Sequence, residues 1–330
     1  MKTSNDEFKE KILNKYFQDI NNIYNIRDYI ILETIQECEK MISDTFQESN
    51  NTNKEIYMEK GVFSILVDKK YLLISKNDEF KNIFSLIYYY CLSLSKNIHK
   101  NENFILLNIK EILSLINLIL IFNDNVTFYS LKKKILSLTL KNEIKNINEL
   151  ILSEYYFTCT KNKKCRKSLI SWDYKYFLYQ NFFKDNNRQI KINNDNNKYN
   201  ILNLLKDELN LLEIKENIFY NNDFILNDLE IINEINNLQS RNYHMWTYLR
   251  KVFNDINKEG KILILLYAFY LLRKCSFDYS AFCFIVNSKN NFPLNNQQLK
   301  IIIEDIKKTS IIKYDEHKNY INDIEKFIFN

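Results

Sequence analysis

The sequence predicts an all-α fold, an α-α superhelix in which antiparallel helix pairs stack as a solenoid. Three observations predict it. The chain has 330 residues but only two Gly and one Pro, whereas a β-rich chain needs turn residues every ~8–12 positions. Apolar residues recur at steps of three and four over long stretches, the period of one helix face. The two tryptophans, Trp172 and Trp246, lie in one local frame of apolar helix, short polar turn and aromatic. A frame used twice signals a structural repeat, and repeats decide architecture before other signals do.

Taken in order, residues 1–105 lack the frame and read as a mostly helical extension. Helices are expected over 7–24, 26–46 and 80–95, with one strand-like run over 62–67. Residues 106–290 carry the repeats. The anchoring aromatics are Tyr129, Trp172, Trp246 and Phe282, spaced by 43, 74 and 36 residues. A period of about 34–45 suits helix pairs. The wide middle spacing is either two periods with one degenerate copy or an insertion, and the run over 184–223, which has no aromatic anchor, reads as the insertion. Within it, 185–199 is low in complexity and reads as a loop, and 201–214 reads as helix. In the third copy Ile225, Leu229, Ile232, Ile235 and Leu238 stripe the first helix (A), and Tyr243, Trp246 and Phe253 stripe the second (B). The B helices are expected to begin near Thr127, Ser168, Asn242 and Tyr279. Gly260 sits where a left-handed residue would end a helix, and Pro293 where the next would open. Residues 291–330 read as capping helices.

Composition narrows the function. Cys38, Cys91, Cys159, Cys165, Cys275 and Cys283 form no CxxC pair, and His99, His244 and His317 are dispersed, so no metal site is expected in this chain. Scattered thiols suit a reducing compartment. The longest uncharged apolar run, 83–95, falls short of the ~18–20 residues of a membrane span. The first residues lack the apolar core of a signal peptide. A cytoplasmic location without a transmembrane segment is the expectation. A net charge of +5 permits an anionic ligand without implying nucleic acid.

The run Asn242, Tyr243, His244, Met245, Trp246 and the run from Asp278 to Phe282 resemble the repeats of protein prenyltransferase alpha subunits, whose general form is Asn-Tyr-x-x-Trp-x-x-Arg on the second helix of each pair. The resemblance covers roughly residues 105–290. Within the family the chain is similar to the alpha-subunit-repeat-containing branch that supplies the alpha chain of the type-III geranylgeranyltransferase. Lys167 and Ser168 opening copy two, the long insertion, Phe282 and the long leader with its run over 64–69 carry that likeness. The proline-rich entry of farnesyltransferase alpha chains is absent. The family arginine three residues after the aromatic is Lys132, Lys175, Leu249 and Ile285 here, with Arg250 beside Leu249.

The resemblance implies an alpha subunit that helps a beta subunit transfer a geranylgeranyl (or farnesyl) group from its diphosphate to a C-terminal cysteine of a small GTPase or SNARE-like protein. It implies no cofactor in this chain, zinc in the beta subunit, and no activity of the chain alone. The implied catalytic residues are Lys167 and His244, with Asn242, Tyr243 and Arg241 binding substrate. Such positions suit the chemistry, because a departing diphosphate develops negative charge that placed cations and donors stabilise. Bland readings stand beside these. Lys167 lies in the basic run 161–167, whose plain reading is a solvated basic turn, with a nuclear-import or nucleic-acid patch as a further alternative. His244 could line a groove without chemistry, and Tyr243 could simply pack. The whole chain could be a non-catalytic helical scaffold for protein partners. A tetratricopeptide-type module is disfavoured because the small residues that let its helices pack closely are missing. The inner side of the solenoid is expected to expose a mixed apolar and polar patch of ~600 Å² or more, larger than a monomer usually tolerates.

Overall fold

The computed structural model describes residues 28–32, 66–67, 71–75, 78–142, 147–184, 200–219, 222–238, 242–274, 278–309 and 315–329. These are mostly helical. The expected helix over 7–24 and the loop over 185–199 lie outside the described residues. The chain divides into two compact units, Met1–Lys161 and Asn162–Asn330.

The first unit opens with three short strands, β1 (Asp28–Leu32), β2 (Leu66–Val67) and β3 (Tyr71–Ser75), in the order β1-β3-β2. β1 runs parallel to β3, with Asp28 opposite Tyr71, and β2 is antiparallel to it. β1 falls inside the stretch expected to be helix over 26–46. Its residues, Tyr29, Ile30 and Ile31, are aromatic and β-branched, types that suit a pleated surface once a partner strand is present. The strand-like run over 62–67 contributes only its last two residues among those described, and β3 was not anticipated. Four helices follow: α1 (Asp78–Lys96), α2 (Glu102–Leu107), α3 (Ile109–Phe122) and α4 (Val126–Lys141). α3 is apolar on every side and buried over nearly its whole length, the mark of a core helix. α1, α2 and α4 pack around it. α5 (Ile147–Lys164) continues the chain, and the boundary between the units falls in its last turn.

The second unit holds α6 (Leu169–Leu178), extended by a π-helical turn over Tyr179–Phe183. After α7 (Asn200–Leu204), α8 (Lys206–Leu211) and a 3-10 turn over Glu216–Phe219 come α9 (Asp223–Leu238), α10 (Tyr243–Asp255), α11 (Lys258–Lys274), α12 (Tyr279–Ser288), α13 (Asn296–Thr309) and α14 (Asp315–Phe329). Two rows result. α6, α10, α12 and α14 neighbour one another in sequence, as do α9, α11 and α13, and α10 to α14 also pack across the rows. The apolar stripes meet between the rows, where Leu229, Ile232, Leu249, Val252, Leu266 and Ile285 are fully buried.

The repeat frame is visible at atomic level. The B helices α4, α6, α10 and α12 begin within a residue of the expected positions. Each is preceded by a capping side chain four positions before its aromatic anchor: Asn125, Ser168, Asn242 and Asp278 accept hydrogen bonds from the main-chain N–H groups of Thr127, Ser171, Met245 and Ser280. Such caps satisfy donors that a helix start leaves open. The anchors Tyr129, Trp172, Trp246 and Phe282 are all buried. Within the second unit each tryptophan meets the aromatic two places after the next anchor. Trp172 lies 5.5 Å from Tyr248, and Trp246 lies 5.1 Å from Phe284, centre to centre.

The insertion forms a strap along the A row. α7 packs on α9, α8 on α11 and α13, and the turn over Glu216–Phe219 on α11. Ile201, Leu202, Leu205, Leu209 and Phe219 are buried beneath it. The helix expected over 201–214 is thus broken into α7 and α8. α8 ends in a Schellman closure, with Ile214 N–H on Leu209 O (2.9 Å) and Glu213 N–H on Asn210 O (3.1 Å). Its left-handed residue is Glu213, at φ 54°.

Three local expectations are corrected. Gly260 lies in the first turn of α11 with no positive φ, its N–H bonded to the Asn257 side chain (2.9 Å). It is small because a Cβ would fall 2.4 Å from Ile256 Cδ1. Pro293 precedes α13 rather than opening it. The helix starts on a capping box in which Gln298 N–H bonds Asn295 Oδ1 (2.9 Å) and Asn295 N–H bonds Gln298 Oε1 (3.2 Å). Leu238 and Tyr243, both placed on buried stripes by periodicity, are exposed, because each sits where its helix ends or begins.

Candidate functional site

The residues three places after the four anchors, Lys132, Lys175, Leu249 and Ile285, resolve into two buried ion pairs and two apolar positions. In the first unit Lys132 Nζ lies 2.6 Å from Glu154 Oε2, and both side chains are fully buried. Asn117 closes the triangle, accepting from Lys132 and donating to Glu154 Oε1 (3.1 Å). Burial pulls the Lys132 ammonium below its usual range, and the Glu154 charge opposes that shift. In the second unit Lys175 pairs with Asp228, again with both fully buried. Tyr248 donates its hydroxyl to Asp228 Oδ2 (2.7 Å), and the Lys175 ammonium lies 5.3 Å from the ring centres of Trp172 and Tyr248.

The acids share a register. Glu154 stands fourteen positions before the cap Ser168, and Asp228 fourteen before the cap Asn242. The corresponding residue before Asp278 is Ile264, which is fully buried, as is Leu249 on the preceding B helix. Where the B helix carries Lys, the following A helix carries an acid. Where the B helix carries Leu, the A helix carries Ile.

The turns at the starts of the B helices hold the residues expected to act. Lys167 is exposed in the turn before α6. Asn242 is buried, and both halves of its amide bond within the fold, Oδ1 to Met245 N–H (3.2 Å) and Nδ2 to the carbonyl of Arg166 (2.7 Å). That contact spans 76 residues and lays the Lys167 turn beside the start of α10. His244 is half-buried in the first turn of α10, with Nδ1 buried and unbonded. Tyr243 is exposed, with its ring edge-on to His244 at 5.7 Å. Arg241 lies outside the described residues. At the first helical position of the three B helices of this unit stands a large exposed apolar residue: Leu169 (55% exposed), Tyr243 (64%) and Tyr279 (62%). Val126 (62%) has the same place in the first unit.

Sequence reading grouped Arg166 with its basic neighbours and saw only charge. In the structure its guanidinium donates to main-chain carbonyls, Nε to Lys163 O (3.1 Å) and Nη1 to Leu238 O (3.1 Å). Its own carbonyl accepts from Trp172 Nε1 (3.0 Å) as well as from Asn242. No composition signal marks such a role. The spacing between each cap and the preceding acid would have marked Lys132 and Lys175 as internal.

Among the described residues no group of three or more His, Cys, Asp or Glu side chains is placed to hold a metal. Cys91 and Cys159 are buried, and Cys165 and Cys283 are partly exposed. No single described helix is long and apolar enough to cross a membrane. One bent pair, Ile98–Leu107 with Ile109–Phe122, passes by length and composition together, and its second member is the buried core helix α3. Neither a family model nor a curated protein matches the chain.

Proposed function

We propose that this chain is the alpha-type subunit of a heterodimeric protein prenyltransferase. With a beta subunit it helps transfer a geranylgeranyl or farnesyl group from its diphosphate to a C-terminal cysteine of a small GTPase or SNARE-like protein. On this reading the helix pairs continue as a superhelix, and the heterodimer works in the cytoplasm. The observation that carries the reading is the contact of Asn242 with Arg166. It brings an exposed ammonium, Lys167, and a half-buried imidazole, His244, to neighbouring turns of one unit. The ammonium stands just before a helix start, so its charge and the positive dipole end would act together on an anion bound there. Charge developing on the departing diphosphate is stabilised by such preplaced groups. The exposed apolar residues at the same helix starts supply a rim that a beta subunit would cover. Zinc would be held by that beta subunit.

A second reading is a non-catalytic helical scaffold. It is favoured by one observation: Lys132, Lys175 and Asn242 are bound up inside the fold, so the repeat frame persists without any demand from catalysis. The test is single-turnover transfer by the chain reconstituted with a zinc-binding prenyltransferase beta chain from the same cells. Lys167→Ala is expected to slow the chemical step by about 10-fold to 10³-fold with protein-substrate binding little changed. His244→Ala is expected to be milder, since a neutral donor contributes less than a full charge. A folded Lys167→Ala heterodimer with an unchanged rate selects the scaffold.

A further inference from the structure

The loop bearing Lys167 is held from both sides by the next helix pair. Its main chain is held at the Arg166 carbonyl, which accepts from Asn242 at the start of α10 (2.7 Å) and from Trp172 of its own helix (3.0 Å). Its side chain is held on the other flank of the same turn, where the Arg166 guanidinium bonds the carbonyl of Leu238, the last residue of α9 (3.1 Å). A second ion pair, Lys163 with Glu234, ties the end of α5 to α9. Lys167 itself, the next residue, is exposed and makes no hydrogen bond or ion pair among the described residues. The turn is fixed while its cation is left uncommitted.

Capping alone does not require an amide at position 242. Ser168 and Asp278 cap α6 and α12 with oxygen acceptors only. An amide adds a donor, and here that donor reaches the Arg166 carbonyl. We propose that Asn242 and Arg166 are positioning residues that lock the Lys167 turn against the start of α10, fixing the reach of the Lys167 ammonium relative to His244. The role rests on the reading of the chain as a prenyltransferase alpha-type subunit. It replaces the role of Asn242 as a substrate ligand, since the side chain is buried and each end of its amide is engaged within the fold.

Asn242→Asp keeps the cap, as Asp278 shows, and removes the donor. Arg166→Gln removes the guanidinium fork and leaves the cap untouched, so it serves if the first variant folds poorly. Two readouts are needed. The chain has two tryptophans, so the Trp172 indole N–H is one of two resolved signals, and its hydrogen exchange reports whether the turn is held. Either variant is expected to speed that exchange while the melting transition stays cooperative. In the reconstituted heterodimer, single-turnover transfer is expected to fall by about 10-fold to 100-fold, the effect of misplacing a reacting group by about an ångström, with KM for the protein substrate unchanged. In a Lys167→Ala background the same substitutions are expected to cost nothing further, because the residue they position is gone. An equal loss in both backgrounds overturns the proposal, as does unaltered indole exchange. If Lys167→Ala leaves transfer intact while the indole still responds, it is the prenyltransferase reading that fails and the positioning role fails with it; the turn lock alone survives.

Discussion

Lys175 and Leu249 occupy one position on neighbouring B helices, each three residues after a buried tryptophan, and each is sealed from water. Around Lys175 the space is filled by Asp228, the Tyr248 hydroxyl and two aromatic faces. The counterpart of Asp228 in the Leu249 interface is Ile264. The frame of caps and aromatics is the same on both sides of the comparison, so the geometry of the interface does not depend on which chemistry fills it. The two partners must match each other. A buried ion pair is worth about as much as an apolar pair of the same volume, because desolvation offsets the attraction. A buried ion facing an alkane is heavily penalised. The charged interface therefore does little for net stability and much for selection: Lys175 set against Ile264, or Asp228 against Leu249, would be an unpaired buried charge.

The largest expected effect tests that equivalence directly. Lys175→Leu alone leaves Asp228 buried without its cation and is expected to destabilise the chain by about 3–5 kcal/mol in denaturant unfolding. Adding Asp228→Ile and Tyr248→Phe, which removes the hydroxyl left without an acceptor, is expected to bring stability back to within about 1 kcal/mol of the natural chain or above it. A triple variant as weak as the single one breaks the comparison.

Glu208 sharpens it from the other side. This carboxyl on the strap is buried and lies 3.2 Å from Arg273, which also meets Asp207 and Asp305. Among the described residues Tyr270 also feels the Glu208 charge. Burial pushes the Glu208 carboxyl upward more than the Arg273 charge pulls it down. A carboxyl raised on folding binds more protons in the folded chain than in the unfolded one. Its effect on stability is therefore most favourable near and below the unfolded value of 4.5 and is lost as pH rises through the folded value. Amide exchange over 206–211 is expected to slow as pH is lowered through that window, after correction for intrinsic rates, and Glu208→Gln is expected to flatten the trend. A trend identical in both proteins excludes Glu208 as its source.

The smallest effect concerns the backbone. Glu213 holds a left-handed conformation that costs a side-chain-bearing residue roughly 1–2 kcal/mol. Glu213→Gly is expected to raise stability by up to about 1 kcal/mol, the remainder being offset by the greater freedom of unfolded glycine. A lower melting temperature would show that the Glu213 side chain contributes more than its backbone strain removes.

Helix starts and anchors were legible because they rest on local chemistry. A cap, an apolar stripe and one large aromatic are all read within about fifteen residues. The same locality explains what was missed. β1 needs a partner some forty residues away, so its own sequence read as helix. Gly260 was read by a general rule about helix ends, and the actual reason is a neighbouring Ile256 side chain. The burial of Lys132 and Lys175 was not legible, because their acids lie on other helices. Of the expected site, the proximity of the Lys167 and His244 turns followed from the repeat, whereas the structural use of Asn242 depended on a carbonyl 76 residues distant.

The strap has a consequence for how the chain is made. Lys132 precedes Glu154 by 22 residues, but Lys175 precedes Asp228 by 53, because the insertion lies between them. At equilibrium the longer loop adds under about 1 kcal/mol, since closure entropy grows only with the logarithm of length. During synthesis the interval is different in kind. At about 5–20 residues per second, a ribosome takes roughly 3–10 s to deliver Asp228 after Lys175, and throughout that time an ammonium designed for a dry interior has only water and its own helix for company. The second unit therefore cannot lock pair by pair as it emerges: its first B helix has to wait, solvated, until α9 arrives.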